Sequence, residues 1–196
     1  MAKDKKRKTK KNIVSAAWRL FYEQGYEDTT VEEIIELSQT SKGSFYHYFD
    51  GKDALLSTLS SLFDEKYEEL TGQLPPDITA METLLFLNRE LFGMIENSIS
   101  VELLARLLST QLTTNGEKHL LDRDRFYYKL LRKIISRGQE AGQLSARLSV
   151  SEMVKRYALC ERALMYDWCL CSGDYSLVTY ADKMTPLFLK SFRAEL

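Results

Sequence analysis

The sequence predicts an all-α chain of about nine helices: an N-terminal three-helix unit followed by a larger helical body. Three observations carry this. The 196 residues contain only three Pro and nine Gly, while Leu, Glu, Lys and Ala are common. Apolar residues recur every three or four positions through nearly every segment. Glycines close several of these runs, at Gly25, Gly72, Gly142 and Gly173. With 44% hydrophobic residues the chain can bury a sizeable core.

Residues 1–11, MAKDKKRKTKK, form a basic tail. The first twelve residues carry seven Lys/Arg and one Asp, against a net charge of −1 for the whole chain. The bland reading is a solubilising end. The functional reading is an arm that touches phosphates or the minor groove and makes binding salt-dependent. Helix 1 is expected over 12–24, with Ile13, Ala17, Leu20 and Phe21 as its apolar stripe, broadened by Trp18 and Tyr22. Gly25 stops it and Tyr26 supplies the hydrophobic contact that follows.

Residues 29–52 read TTVEEIIELSQTSKGSFYHYFDGK. Thr30 with Glu33 makes a capping box, and Val31, Ile34, Ile35 and Leu37 give the following helix its apolar face. Ser41 or Thr40 caps a second short helix, Lys42 to Phe49, with Phe45 and Phe49 turned inward. Its other side shows Lys42, Gly43, Ser44, Tyr46, His47 and Tyr48, small or hydrogen-bonding residues with no acid among them. Such a face suits an electronegative groove, and the pair reads as a helix-turn-helix.

The run SKGSFYHYFDGKDALL resembles the recognition-helix signature of TetR-type transcriptional regulators, a Ser-Lys-Gly-x-x-Tyr-x-x-Phe motif followed by a Lys and a Leu that open the next helix. The resemblance covers about residues 10–56; beyond them it is one of helical layout. It implies a DNA-binding domain over 1–52 and an effector-binding and dimerisation domain over 53–196. Lys42, Ser44 and His47 are the base-edge candidates. Thr30, Thr40, Tyr46 and Lys52 resemble the phosphate-contact positions of the family; Ser41 and Tyr48 complete the DNA-facing set, and Gly43 allows close approach to the backbone. One departure stands out. The turn position that is usually Gly in the family is Gln39 here, and a positive φ at Gln costs roughly 1 kcal/mol relative to Gly.

A helix over 52–71 links the two parts, and Pro75-Pro76 lie in the clearest linker, 73–79. Further helices are expected over 80–97, 99–112, 118–141, 151–172 and 176–194, with a turn at 113–117 and a kink or restart at Pro186. The eighth helix, 151–172, is apolar nearly all round, which calls for burial on all sides. The resemblance implies that the eighth and ninth helices of two subunits form a four-helix homodimer interface. It also implies a small-molecule pocket, for which Phe86, Arg89, Phe92, Arg106, Tyr127, Tyr157, Cys160, Glu161 and Trp168 are candidates. Glu161 and Arg162 interrupt the apolar eighth helix and need partners or a function.

Cys160, Cys169 and Cys171 are odd in number and poorly spaced for a metal, so neither a disulfide framework nor a metal site is expected. No apolar run is long enough for a membrane span, and the N-terminus is too charged for a secretory signal, which fits a cytoplasmic protein. No nucleophile–base spacing, phosphate loop or cofactor motif is present, so no enzyme and no cofactor is expected. The functional expectation is a dimeric regulator of transcription that reads a palindromic operator on double-stranded DNA, most simply a repressor released by a small-molecule effector. The alternative is a ligand-independent, nucleoid-type DNA-binding structural protein of the same fold.

Overall fold

A computed structural model describes residues 2–113 and 118–194; the turn expected after Thr113 lies outside the described residues. All regular structure among those residues is helical, apart from one isolated bridge between Leu144 and Arg193. The α-helices are α1 (Ala2–Gln24), α2 (Val31–Leu37), α3 (Lys42–Tyr48), α4 (Lys52–Leu56), α5 (Leu59–Thr71), α6 (Ala80–Ser98), α7 (Val101–Thr113), α8 (Phe126–Glu140), α9 (Val150–Leu170) and α10 (Leu177–Phe188). Short 3-10 turns occupy His119–Leu121 and Leu189–Phe192. The chain divides into two compact units, Met1–Ser61 and Leu62–Leu196.

In the first unit, helix α1 begins well before the expected residue 12. The basic tail contains no Gly or Pro, and Lys and Arg are good helix formers, so the helix propagates back through it. Tyr48 donates to the Lys6 carbonyl at 3.2 Å, and the Lys10 ammonium sits 5.7 Å from the Phe49 ring centre. The core is Ile13, Ala17, Phe21, Tyr26, Ile34, Phe45, Phe49, Leu55 and Leu56. Two residues expected in it face outward: Tyr22 is 72% exposed and Leu37 40%. Both sit at the margin of a narrow apolar stripe, and the helices they serve bury only its centre.

The helix expected over 52–71 is interrupted. The Ser57 and Thr58 hydroxyls donate back to the carbonyls of Ala54 and Leu55 at 2.7 and 2.6 Å, offering the chain a turn in place of a continuous ladder. The unit also extends past residue 52. Tyr26 donates to the Asp53 carboxylate, and the Trp18 indole donates to Thr58 at 2.8 Å, fastening 53–58 to α1 and the loop after it.

In the second unit α6 packs against α8 and α10, and α9 against α7, α8 and α10. Gly138 lets α8 approach closely: a Cβ there would lie 2.5 Å from the Ala80 Cβ. The helix expected from 118 starts only at 126. Asp122 accepts from the Asp124 amide at 2.8 Å, and Asp64 pairs with Arg125 at 2.9 Å while accepting from the Tyr127 amide at 3.2 Å. Asp64 thereby supplies, from α5, an acceptor for an otherwise orphan donor at the start of α8. Pro186 does not stop α10, which runs on to Phe188 before tightening into its 3-10 turn. Helix α9 is not buried all round in the single chain: Leu159 is 50% exposed, Leu170 67%, and Ala163 and Tyr166 are open. On α10, Tyr180, Leu187 and Phe188 are exposed as well.

Candidate functional site

The first candidate site is the outer face of α2 and α3. Thr30 caps α2: its hydroxyl accepts from the Glu33 amide at 3.2 Å, and the Glu33 carboxylate accepts from the Thr30 amide at 2.7 Å. The hydrogen bonds that the Glu33 carboxylate accepts from the Thr30 amide and hydroxyl and from Gln24 hold it below its ordinary range. Helix α2 ends in a double turn. The Gln39 amide donates to Glu36 at 3.0 Å and the Thr40 amide to Ile35 at 3.1 Å, the pairing of a Schellman motif. Gln39 holds the left-handed position at φ 53°, as its place in the turn requires. Beside it the buried Ser38 hydroxyl lies 2.8 Å from that of Thr40.

Ser41 caps α3 by accepting from the Ser44 amide at 3.1 Å, and the two hydroxyls lie 2.9 Å apart. Phe45 and Phe49 anchor the helix from below. Its upper side leaves Lys42, Gly43, Tyr46 and His47 exposed, with Ser44 and Tyr48 half-buried. Lys42 makes one ion pair, 3.6 Å from Glu32, between two side chains about 70% exposed. Such a pair is weak, and the lysine is available to a stronger anion. A Cβ on Gly43 would meet nothing, so that spot is open space. Lys52 is placed differently. Its ammonium donates to the carbonyls of Tyr26 and Glu27 at 2.6 and 3.1 Å and lies over the Tyr26 ring, so it clamps the loop after α1 instead of projecting outward.

The second candidate site lies inside the C-terminal unit. Glu161 of α9 is fully buried. Its carboxylate accepts from Tyr127 of α8 at 2.5 Å, from Tyr67 of α5 at 3.1 and 3.2 Å, and from Asn88 of α6 at 3.2 Å. Asn88 in turn accepts from Thr185 of α10 at 3.0 Å. Four helices thus meet at one carboxylate, and α10 joins them through Asn88. Burial pushes the Glu161 carboxyl above its ordinary range, and the hydrogen bonds from Tyr127, Asn88 and Tyr67 oppose this without cancelling it. The Tyr67 and Tyr127 phenols are driven well up by burial and by the adjacent carboxylate. Tyr157 spends its single proton on the Leu84 carbonyl at 2.7 Å. Beside Glu161 lies a cavity of about 30 Å³, room for one water, walled by Phe63, Leu91, Leu120 and Met165 among others.

The pocket candidates therefore separate. Tyr127, Tyr157, Cys160 and Glu161 lie at or next to this cluster; burial raises the Cys160 thiol to about 12. Phe92 is core, and Phe86 is half-buried. Arg89 is exposed in an ion pair with Asp182 at 2.8 Å, and Arg106 pairs with Glu102 one turn away. Trp168 is buried but donates to the Tyr175 carbonyl at 2.9 Å, closing the end of α9. Sequence reasoning missed Tyr67, Asn88 and Thr185; each sits on an apolar helical stripe where a polar residue was the only available signal. The cysteines are free, and among the described residues no group of three metal-ligating side chains converges. No described helix is long and apolar enough to cross a membrane.

Residues 13–59 match the family described as "Bacterial regulatory proteins, tetR family". The N-terminal unit of the chain is thus similar to the DNA-binding domain of that family. Among curated TetR-type relatives, the regulator QacR of Staphylococcus aureus is 37% identical over 60 residues, 31% of this chain and 32% of that protein. Matches to the first curated relatives span only 19–32% of their length, all of it local. The fatty acid metabolism regulator protein of Bacillus subtilis is 22% identical over 181 residues, covering 90% of this chain and 92% of that one. The crystal structure of the Bacillus subtilis regulator FadR in complex with stearoyl-CoA superposes with a TM-score of 0.68 at 20% identity, over 93% of this chain and 98% of the other. At that identity the likeness establishes the TetR fold.

Proposed function

We propose that this protein is a dimeric, sequence-specific DNA-binding regulator, most simply a repressor that leaves its operator when a small molecule occupies the C-terminal unit. The observation that carries the reading is the outer face of α3. It offers Lys42, Ser44, Tyr46 and His47 with no acid among them, on a helix whose fold is secured by its two caps and by Phe45 and Phe49. Thr30, Thr40, Ser41 and Tyr48 flank that face as phosphate contacts, and Gly43 keeps its approach open. Lys52 supports the loop behind it.

Dimerisation rests on the open apolar surface of α9 and α10, where Leu159, Tyr166, Leu170, Leu187 and Phe188 lie uncovered. One seven-residue recognition helix makes too few contacts for specificity, and a two-fold dimer reads two half-sites about one helical turn apart. The effector site is the interior around Glu161, reached by opening a core that is closed in this conformation. An effector that prefers the opened core shifts the population away from the DNA-binding state by its difference in affinity for the two. The full-length likeness to a regulator of fatty acid metabolism, and to a structure holding stearoyl-CoA, favours a fatty acyl thioester as its chemical class.

Selection from a random pool of duplexes tests the reading. The expected product is a two-fold-symmetric sequence bound by a dimer and released by the effector. Uniform binding to all sequences, unaffected by acyl thioesters, would support the nucleoid-type alternative.

A further inference from the structure

Between α8 and α9 the C-terminal unit carries an open groove of about 540 Å³, outside the Glu161 cluster. Four cationic side chains line it: Arg123 just before α8, Arg132 on α8, and Lys155 and Arg162 on α9. Lys155, Ala158 and Arg162 are three and four positions apart, so they share one face of α9. The single acid in the groove, Glu152, is already paired with Arg156 at 3.0 Å.

The four differ from several arginines of this unit. Arg89, Arg106, Arg125 and Arg156 each face a carboxylate. Among the described residues, Arg123, Arg132, Lys155 and Arg162 face none. Arg132 instead donates to the Arg123 carbonyl at 2.9 Å, and Arg162 to the Tyr128 hydroxyl at 3.3 Å. Each of these two half-buried guanidiniums keeps most of its five donors unspent. Four like charges around one concavity repel one another unless an anion joins them. Guanidinium forks match phosphate bidentately, whereas an ammonium adds a point charge.

The groove also adjoins the interior. Ala158 and Arg162 line both it and the small cavity beside Glu161, whose other walls include Phe63, Leu91 and Met165. Leu121, Val154 and Ala158 give the groove itself an apolar side. We infer that the α8–α9 groove binds the multiply phosphorylated head of an amphiphilic effector whose apolar tail enters the core past Ala158 and Arg162. The inference rests on the effector reading above and assigns the head group its own residues.

The test titrates the full-length protein with stearoyl-coenzyme A, free coenzyme A and stearate, by calorimetry at low and moderate salt. The wild-type protein is expected to bind both coenzyme-bearing probes, more weakly as salt rises. In the double variant Arg132→Ala/Lys155→Ala, both should bind at least about tenfold more weakly, because each lost charge-assisted contact is worth about a factor of ten. Stearate binding and affinity for a selected duplex should be unchanged. The control Lys129→Ala/Lys133→Ala removes two exposed charges of α8 that are not in the groove, and should bind like wild type. Equal losses in both double variants, or none in either, would overturn the inference, as would a wild-type protein that binds neither coenzyme-bearing probe. Failure of the effector reading is a separate result: probes bind, but the duplex stays in place.

Discussion

The outer face of α3 and the interior around Glu161 treat polar groups in opposite ways. On α3, Lys42 and His47 stand exposed on a short helix, and the hydrogen bonds that close its two ends are made by Ser41 and by the Phe49 amide to the Phe45 carbonyl. Around Glu161 every buried polar group is spoken for: Thr185 to Asn88, Asn88 to Glu161, Tyr67 and Tyr127 to Glu161, Tyr157 to Leu84. The first region has its interactions still to make, which is what a surface that meets a partner requires. The second has completed them within the chain, and a ligand can enter only by exchanging some for its own.

The contrast is broken most severely by Glu161→Leu. It leaves the hydroxyls of Tyr67 and Tyr127 and the Asn88 amide without their acceptor, so a loss of about 3–5 kcal/mol in unfolding free energy is expected, measurable by urea denaturation. A loss below about 1 kcal/mol, the range of an ordinary surface change, would mean that the cluster is not the centre of the unit. Next in size is Lys42→Ala. Its ion pair is solvent-exposed, so stability should stay within about 0.5 kcal/mol, while affinity for a selected duplex falls by about 1–3 kcal/mol. Gln39→Gly should raise stability by about 1 kcal/mol by relieving the left-handed backbone, without changing which duplex is selected; an unchanged or lower melting temperature would show that Gln39 is not strained.

The smallest effect is one of pH. The folded-state pKa of Glu161 lies above its ordinary value of 4.5 because of burial. The native state therefore holds its proton to higher pH than the unfolded chain, and stability falls as pH rises from 4.5 through the raised value. Glu161→Gln removes this slope. The difference in melting temperature between that variant and the wild type should grow over this range in favour of the variant and then level off. A difference that is flat or shrinks with pH would contradict the assignment.

How far these regions were legible follows from the same contrast. The reader lies within 24 consecutive residues, and its caps, turn and inward phenylalanines are local patterns that a sequence displays directly. Even the awkward Gln39 was readable, because the turn fixes its φ. The Glu161 cluster is assembled from Tyr67, Asn88, Tyr127, Glu161 and Thr185, as many as 94 positions from the carboxylate in the chain. Spacing says nothing about which of many polar residues on apolar stripes will converge. Glu161 itself stood out only because a charge in an apolar helix needs an explanation. The break after residue 121 was hidden for a similar reason: Asp64, on α5, supplies an acceptor at the start of α8, and no pattern within 118–141 reveals a partner sixty residues away. The groove cations are not legible because single arginines and lysines are ordinary; only the fold shows four of them around one groove, none of them paired with a carboxylate among the described residues.

The central claim is that the outer face of α3 reads DNA. Its most direct test compares wild type and Lys42→Ala on the duplex that the wild type selects from a random pool, with circular dichroism to show that both are folded. The account predicts affinity reduced about five- to 150-fold in the variant, with the fold intact. Equal affinity of the two proteins for that duplex would contradict it.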